Sequence, residues 1–142
     1  MSDAPRIGVD EARAHLEAER AVLLDTNPRP EEGGPPDAIA WAWPAPPSDL
    51  GQLVRRLPRG CLVIAYCSCP NEHTSVRVAS LLREHGYEAF ALAGGMAAWR
   101  EAGYPIEARE VEQARDLAEI CPACGFPCHE HAGSTTHLVA PI

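Results

Sequence analysis

The chain has 142 residues, enough for one compact domain with an appendage but too few for two full domains. Its formal charge of −8 argues against a nucleic-acid partner, because phosphate binding needs clustered basic side chains. All 12 basic residues are arginine, which together with abundant Ala, Gly and Pro points to a high-GC coding bias.

In chain order, Glu11 to Glu19 reads as a helix with Asp10 as its N-cap, and Val22 to Leu24 as a strand. Asn27 to Pro36 is rich in Pro, Gly and Glu and predicts a loop without regular structure. Ala38 to Trp41 reads as a short strand, Trp43 to Pro47 as a Pro-rich connection, and Leu50 to Leu57 as a helix. Trp41 and Trp43 are expected to complete the core rather than face a partner. Leu62 to Tyr66 is a short apolar run with β-branched residues and predicts the central buried strand. Val78, Leu81 and Leu82 give helical spacing to Ser75 through His85, with Gly86 as the stop. Glu88 to Leu92 is a further strand, Met96 to Ala102 a helix before Gly103, and Val111 to Ile120 a helix leading into the tail. Such alternation implies an α/β fold, its mainly parallel sheet covered on both faces.

Cys67 follows directly on the central strand, and ligands of such sheets bind beyond the carboxyl ends of the strands. Between a strand end and a helix N-terminus, backbone N–H groups and the helix dipole favour an anion, a setting that lowers a thiol pKa. The competing reading is a buried structural cysteine, a common small hydrophobe. Two features count against it. Only Ser68 separates Cys67 from Cys69 in a polar loop, so at least one thiol is expected to reach solvent. The loop also carries His73, Thr74 and Ser75, which supply donors and helix caps.

The helix Val9 to Ala18, the strand end Val22 to Pro28 (Val-Leu-Leu-Asp-Thr-Asn-Pro), the pair Tyr66-Cys67 and the helix from Ser75 to Leu82 follow one another in the order of the rhodanese-like domain family, which residues Arg6 to Glu107 resemble. Leu92 to Tyr104 is similar to the family's Leu-x-Gly-Gly-x-x-x-Trp-x-x-x-Gly-Tyr signature and is the most specific match. The resemblance implies a three-layer α/β/α domain over residues 6–107; beyond it the residues read as a linking helix at 108–120 and a Cys/His-rich tail at 121–142. It also implies sulfane-sulfur transfer through a persulfide in the 67–74 loop. Cys67 is favoured as the sulfur-accepting residue and Cys69 is the close second, with Ser68, Asn71, Glu72, His73 and Thr74 as the substrate-binding loop. The implied partners are a small sulfur donor or a protein persulfide and, beyond that, a protein acceptor.

The departures from the family lie in this loop. It lacks the glycine and arginine of active members, is about two residues longer counted from Cys67, and adds the charge of Glu72. Like charge near the thiol disfavours a dianion, so thiosulfate is expected to be a poorer donor than a neutral or protein-bound persulfide. A phosphatase or arsenate-reductase activity, known from the same fold, fits less well without an arginine to clamp a tetrahedral anion. Two thiols one residue apart could also close a strained, labile disulfide, which keeps thiol-redox chemistry open. A non-catalytic binding module or a metal-handling protein would also be compatible with this loop.

The first residues, Met1 to Arg6, lack the apolar core of an export signal and no apolar run reaches membrane-spanning length. A cytoplasmic protein with no membrane partner is therefore expected, in which six cysteines point to reactive or metal-binding thiols before structural disulfides. The tail fits this. Cys121-Pro-Ala-Cys124-Gly resembles a zinc knuckle, and Cys128 and His131 follow at a second two-residue spacing. Cys121, Cys124, Cys128 and His131 would make a tetrahedral structural zinc site, with His129 and His137 as alternative fourth ligands. The spacings match no common iron–sulfur run, and no organic cofactor is expected. Without a metal, the tail would be a disordered segment with free thiols.

Overall fold

The structure, a computed structural model, describes residues 5–46, 51, 57, 62–68 and 73–109. The expected helices at Leu50 to Leu57 and Val111 to Ile120 therefore lie almost wholly or wholly outside the described residues, as does the Cys/His tail.

Five strands form a wholly parallel sheet: β1 (Arg6–Ile7), β2 (Ala21–Asp25), β4 (Trp43–Pro44), β5 (Leu62–Tyr66) and β6 (Glu88–Leu92). Their spatial order is β1-β6-β5-β2-β4, which puts β5 in the middle, as its apolar run predicts. All five residues of β2 are buried, the pattern of a parallel strand covered on both sides. Alternation still sorts its side chains. Val22 and Leu24 join Val63 and Ala65 on one face, where Val78, Ala79 and Leu82 of helix α2 (His73–Glu84) cover them. Ala21 and Leu23 join Ile64 and Tyr66 on the other, against Ala12 and Leu16 of α1 (Val9–Glu17) and Met96 and Trp99 of α3 (Gly95–Glu101). This is the three-layer α/β/α arrangement expected from the sequence. Both tryptophans near residue 42 belong to the core: Trp43 is buried, and Trp41 packs edge-on to Trp99 at 6.1 Å between ring centroids.

The structure corrects several boundaries. Helix α1 starts at Val9 behind Gly8, so Asp10 lies in the first turn instead of capping it. There its charge favours the helix dipole, and its carboxylate accepts a hydrogen bond from the Tyr104 hydroxyl. Helix α2 likewise starts two residues before Ser75, at His73. The loop at Asn27 to Pro36 includes one 3₁₀ turn, Pro30–Glu32. The connection expected at Trp43 to Pro47 begins as strand β4, paired with Leu24 and Asp25. Pro44 is tolerated there because, among the described residues, β4 is an edge strand of the sheet.

A two-stranded antiparallel ribbon completes the described chain. It joins β3 (Asp37–Ile39) to β7 (Ile106–Ala108), with Ala38 opposite Glu107. The ribbon delivers Arg109, whose backbone N–H donates to Pro36 O at 3.0 Å, to the carboxyl end of β2.

Candidate active site

Parallel pairing of β2 with β5 sets Asp25 beside Tyr66, so the residues just beyond each strand meet at the carboxyl edge of the sheet. Thr26 donates to Tyr66 O twice, from its backbone N–H at 3.0 Å and its hydroxyl at 2.9 Å. Asn27 reaches one step further, its carboxamide oxygen accepting from the Ser68 N–H at 2.8 Å. On the other face, Met96 N lies 3.5 Å from Cys67 O. The backbone on both sides of Cys67 is thus gripped, by Thr26 before it and Asn27 after it.

The Cys67 side chain points under the start of α2. Its Sγ lies 3.6 Å from the Ser75 hydroxyl oxygen, a hydrogen-bonded contact for sulfur, in the helix's first turn. Both residues are buried, Cys67 at 1% exposure and Ser75 at 0%. The expectation that at least one thiol of this loop reaches solvent is not met by Cys67, which is buried against Ser75, and it rests on Cys69, which lies outside the described residues. Ser68 and His73 are exposed and Thr74 is half-buried. Cys69, Asn71 and Glu72 lie outside the described residues, as do Cys121, Cys124, Cys128, His129, His131 and His137. Among the described residues no cluster of three or more His, Cys, Asp or Glu could hold a metal, and no helix is long and apolar enough to cross a membrane.

Behind the grip on Cys67 is a buried ion pair. Arg109 Nε lies 3.3 Å from Asp25 Oδ2, with the two side chains at 2% and 0% exposure. The contact is electrostatic rather than well aligned, since Oδ2 has no hydrogen bond of good geometry among the described residues. Asp25 Oδ1 accepts from the Asn27 N–H at 2.9 Å. The Arg109 guanidinium also donates to Pro28 O at 2.6 Å and Pro35 O at 3.3 Å. Asp25, Thr26, Asn27 and Arg109 are absent from the expected site, although position could have signalled the first three: polar residues ending a buried strand sit where parallel sheets bind ligands.

A model of the rhodanese-like domain matches residues 8–102, two thirds of the chain. The protein belongs to the rhodanese-like domain family. The Tyr66-Cys67 step at the end of the central strand is where the resemblance places the family's cysteine. No curated protein matches the chain. Among solved structures, the chain is similar to a protein from Anabaena at 23% identity and TM-score 0.62, over 79% of this chain and 96% of that one. It is also similar to a human single-domain sulfurtransferase at 24% identity and TM-score 0.57, over 69% and 96% of the two chains. A thiosulfate sulfurtransferase from Pseudomonas aeruginosa gives 24% identity and TM-score 0.57, over 72% of this chain but 20% of that much longer one. At these identities the likeness shows a shared rhodanese-like fold.

Proposed function

We propose that the protein is a sulfurtransferase that carries sulfane sulfur as a persulfide on Cys67. The observation that carries this reading is the position of Cys67: one residue past the central strand, its sulfur against the first turn of α2. A helix N-terminus presents unpaired N–H groups and the positive end of the dipole, which suits a thiolate or an anionic persulfide. Ser75 can donate its hydroxyl proton to either species.

The chemistry balances without a cofactor. The Cys67 thiolate attacks the outer sulfur of a donor such as thiosulfate, and a new S–S bond forms. The donor's own S–S bond breaks, and sulfite leaves with the electron pair. A nucleophilic acceptor, small or protein-borne, then attacks the outer sulfur and regenerates the Cys67 thiolate. Amides of the loop after Ser68, as far as Thr74, are the proposed cradle for the anion; Pro70 has no N–H to give, and the Ser68 N–H is already donated to Asn27. In this reading Asn71, Glu72, His73 and Thr74 form the substrate-facing loop, and the charge of Glu72 favours a neutral or protein-bound donor over thiosulfate.

Intact mass spectrometry after excess thiosulfate tests the proposal. One sulfur, about 32 Da, is expected on wild type and on Cys69→Ser, and none on Cys67→Ser. Retention in Cys67→Ser with loss in Cys69→Ser would move the nucleophile to Cys69. The burial of Cys67 favours a second reading, a non-catalytic binding module, for which no adduct forms in any variant.

For the tail, the proposal is one structural zinc on Cys121, Cys124, Cys128 and His131, supported by the ligand types and their spacing. Elemental analysis of protein purified without chelator is expected to find one zinc per chain, lost in Cys124→Ser. The tail should then become protease-sensitive while residues 6–107 stay folded, because their sheet and helices need no metal. Absence of metal, with every tail thiol reacting at once, would make the tail a redox-active or disordered extension.

A further inference from the structure

Arg109 lies outside the 8–102 match, yet it is among the largest fully buried side chains of the described structure. A buried guanidinium is costly unless it is paired and hydrogen-bonded, so its placement is tightly constrained. Its partners bracket one residue. Asp25 lies two positions before Asn27 and Pro28 one position after it, and Arg109 touches both. Asp25 adds its own hold, accepting from the Asn27 N–H. Asn27 in turn accepts from Ser68, the residue after Cys67. The sequence Arg109, Asp25 with Pro28, Asn27, Ser68 is thus continuous, each step an ion pair, hydrogen bond or covalent neighbour. Space behind it is closed as well: a Cβ on Gly34 would fall 1.8 Å from Pro28 O and 2.8 Å from the guanidinium, so the loop is packed down onto the brace.

We propose that Arg109 is a positioning residue for the Cys67 loop, acting through Asp25 and Asn27 to hold the Ser68 amide and with it the backbone that carries the sulfur. The proposal rests on the reading of that loop as the reacting one, but its physical content can be measured without turnover. In wild type the Ser68 amide donates to Asn27 and is therefore expected to be protected from exchange. Arg109→Met removes the ion pair and both carbonyl contacts while keeping much of the apolar stem, so Asn27 loses its fixed direction.

The test is single-residue amide hydrogen exchange by NMR on the full chain, with Asn27→Ala as reference. In Arg109→Met, exchange at Ser68 should accelerate about tenfold, the scale of one lost hydrogen bond, and approach its value in Asn27→Ala. In Arg109→Met the stranded Asp25 carboxylate lowers global stability, so Ser68 exchange is read relative to the amides of Ile64 in β5 and Val78 in α2. In Asp25→Leu with Arg109→Met, where no charge is stranded, those two amides should keep their wild-type rates while Ser68 still accelerates. If Arg109→Met does not fold, Asp25→Leu with Arg109→Met replaces the ion pair by an apolar one, an exchange that buried pairs often tolerate. That double variant should show the same selective acceleration. Thiosulfate turnover supplies the functional arm: kcat should fall in Arg109→Met and Asn27→Ala with KM little changed, and the two together should be no slower than Asn27→Ala alone. Unchanged Ser68 exchange in a folded Arg109 variant, or additive losses of kcat, overturns the proposal. A wild type with no turnover defeats the sulfurtransferase reading instead and leaves the exchange result to decide the positioning role.

Discussion

Asp25→Ala is expected to lower stability by about 3–5 kcal/mol, read as a fall in the urea midpoint at neutral pH. The large effect comes from what remains. Asp25 is fully buried at the end of β2, and removing it takes away the carboxylate 3.3 Å from the Arg109 guanidinium, itself 2% exposed. The Asn27 N–H loses its acceptor in the same step. Replacing both members by apolar residues, as in Asp25→Leu with Arg109→Met, should recover most of the loss, because no charge is then stranded. An Asp25→Ala protein within about 1 kcal/mol of wild type would mean that water reaches the guanidinium, and the pair would then count as a surface ion pair of small worth.

This ion pair also marks where sequence reading stops. The three core strands announce themselves because each buries a near-continuous apolar run: Ala21–Asp25, Leu62–Tyr66 and Glu88–Leu92. Helix α2 shows its apolar stripe, and Gly86 stops it at a φ of 92° that favours glycine. The position of Cys67 follows from the strand alone. Strands of two or three residues, such as Arg6–Ile7 and Ile106–Ala108, have no period to read and exist only because a neighbour is there to pair. Arg109 is less visible still. One arginine among 12 carries no mark of burial, and its partner is 84 positions away in the chain. Thr26 and Asn27 stand in plain view at a strand end, but their task of gripping Tyr66 and Ser68 appears only once β2 lies beside β5.

Gly95→Ala is expected to cost about 3 kcal/mol and, on the proposed sulfurtransferase reading, to abolish the sulfur adduct on Cys67. Gly95 has φ +56, a left-handed conformation that costs a side-chain-bearing residue about 1 kcal/mol or more. The larger part is steric. A Cβ there would lie 2.5 Å from the carbonyl oxygen of Cys67, a backbone atom that cannot swing away as a side chain could. Either α3 withdraws, which breaks the approach of the Met96 N–H to Cys67 O and loosens Trp99 in the core, or the Cys67 peptide rotates. Rotation would carry Sγ away from Ser75 and strain the Ser68 to Asn27 hydrogen bond, so the chemistry fails on either route. Gly103→Ala separates strain from contact, since its φ is +79 with nothing within 4 Å of a new Cβ. It should cost only about 1 kcal/mol and leave the adduct intact. Thermal melts and intact masses of the two variants after thiosulfate check both halves. Equal melting shifts with equal adducts would show that the Gly95 contact with Cys67 is soft, and that the sulfur site does not depend on the close approach of α3.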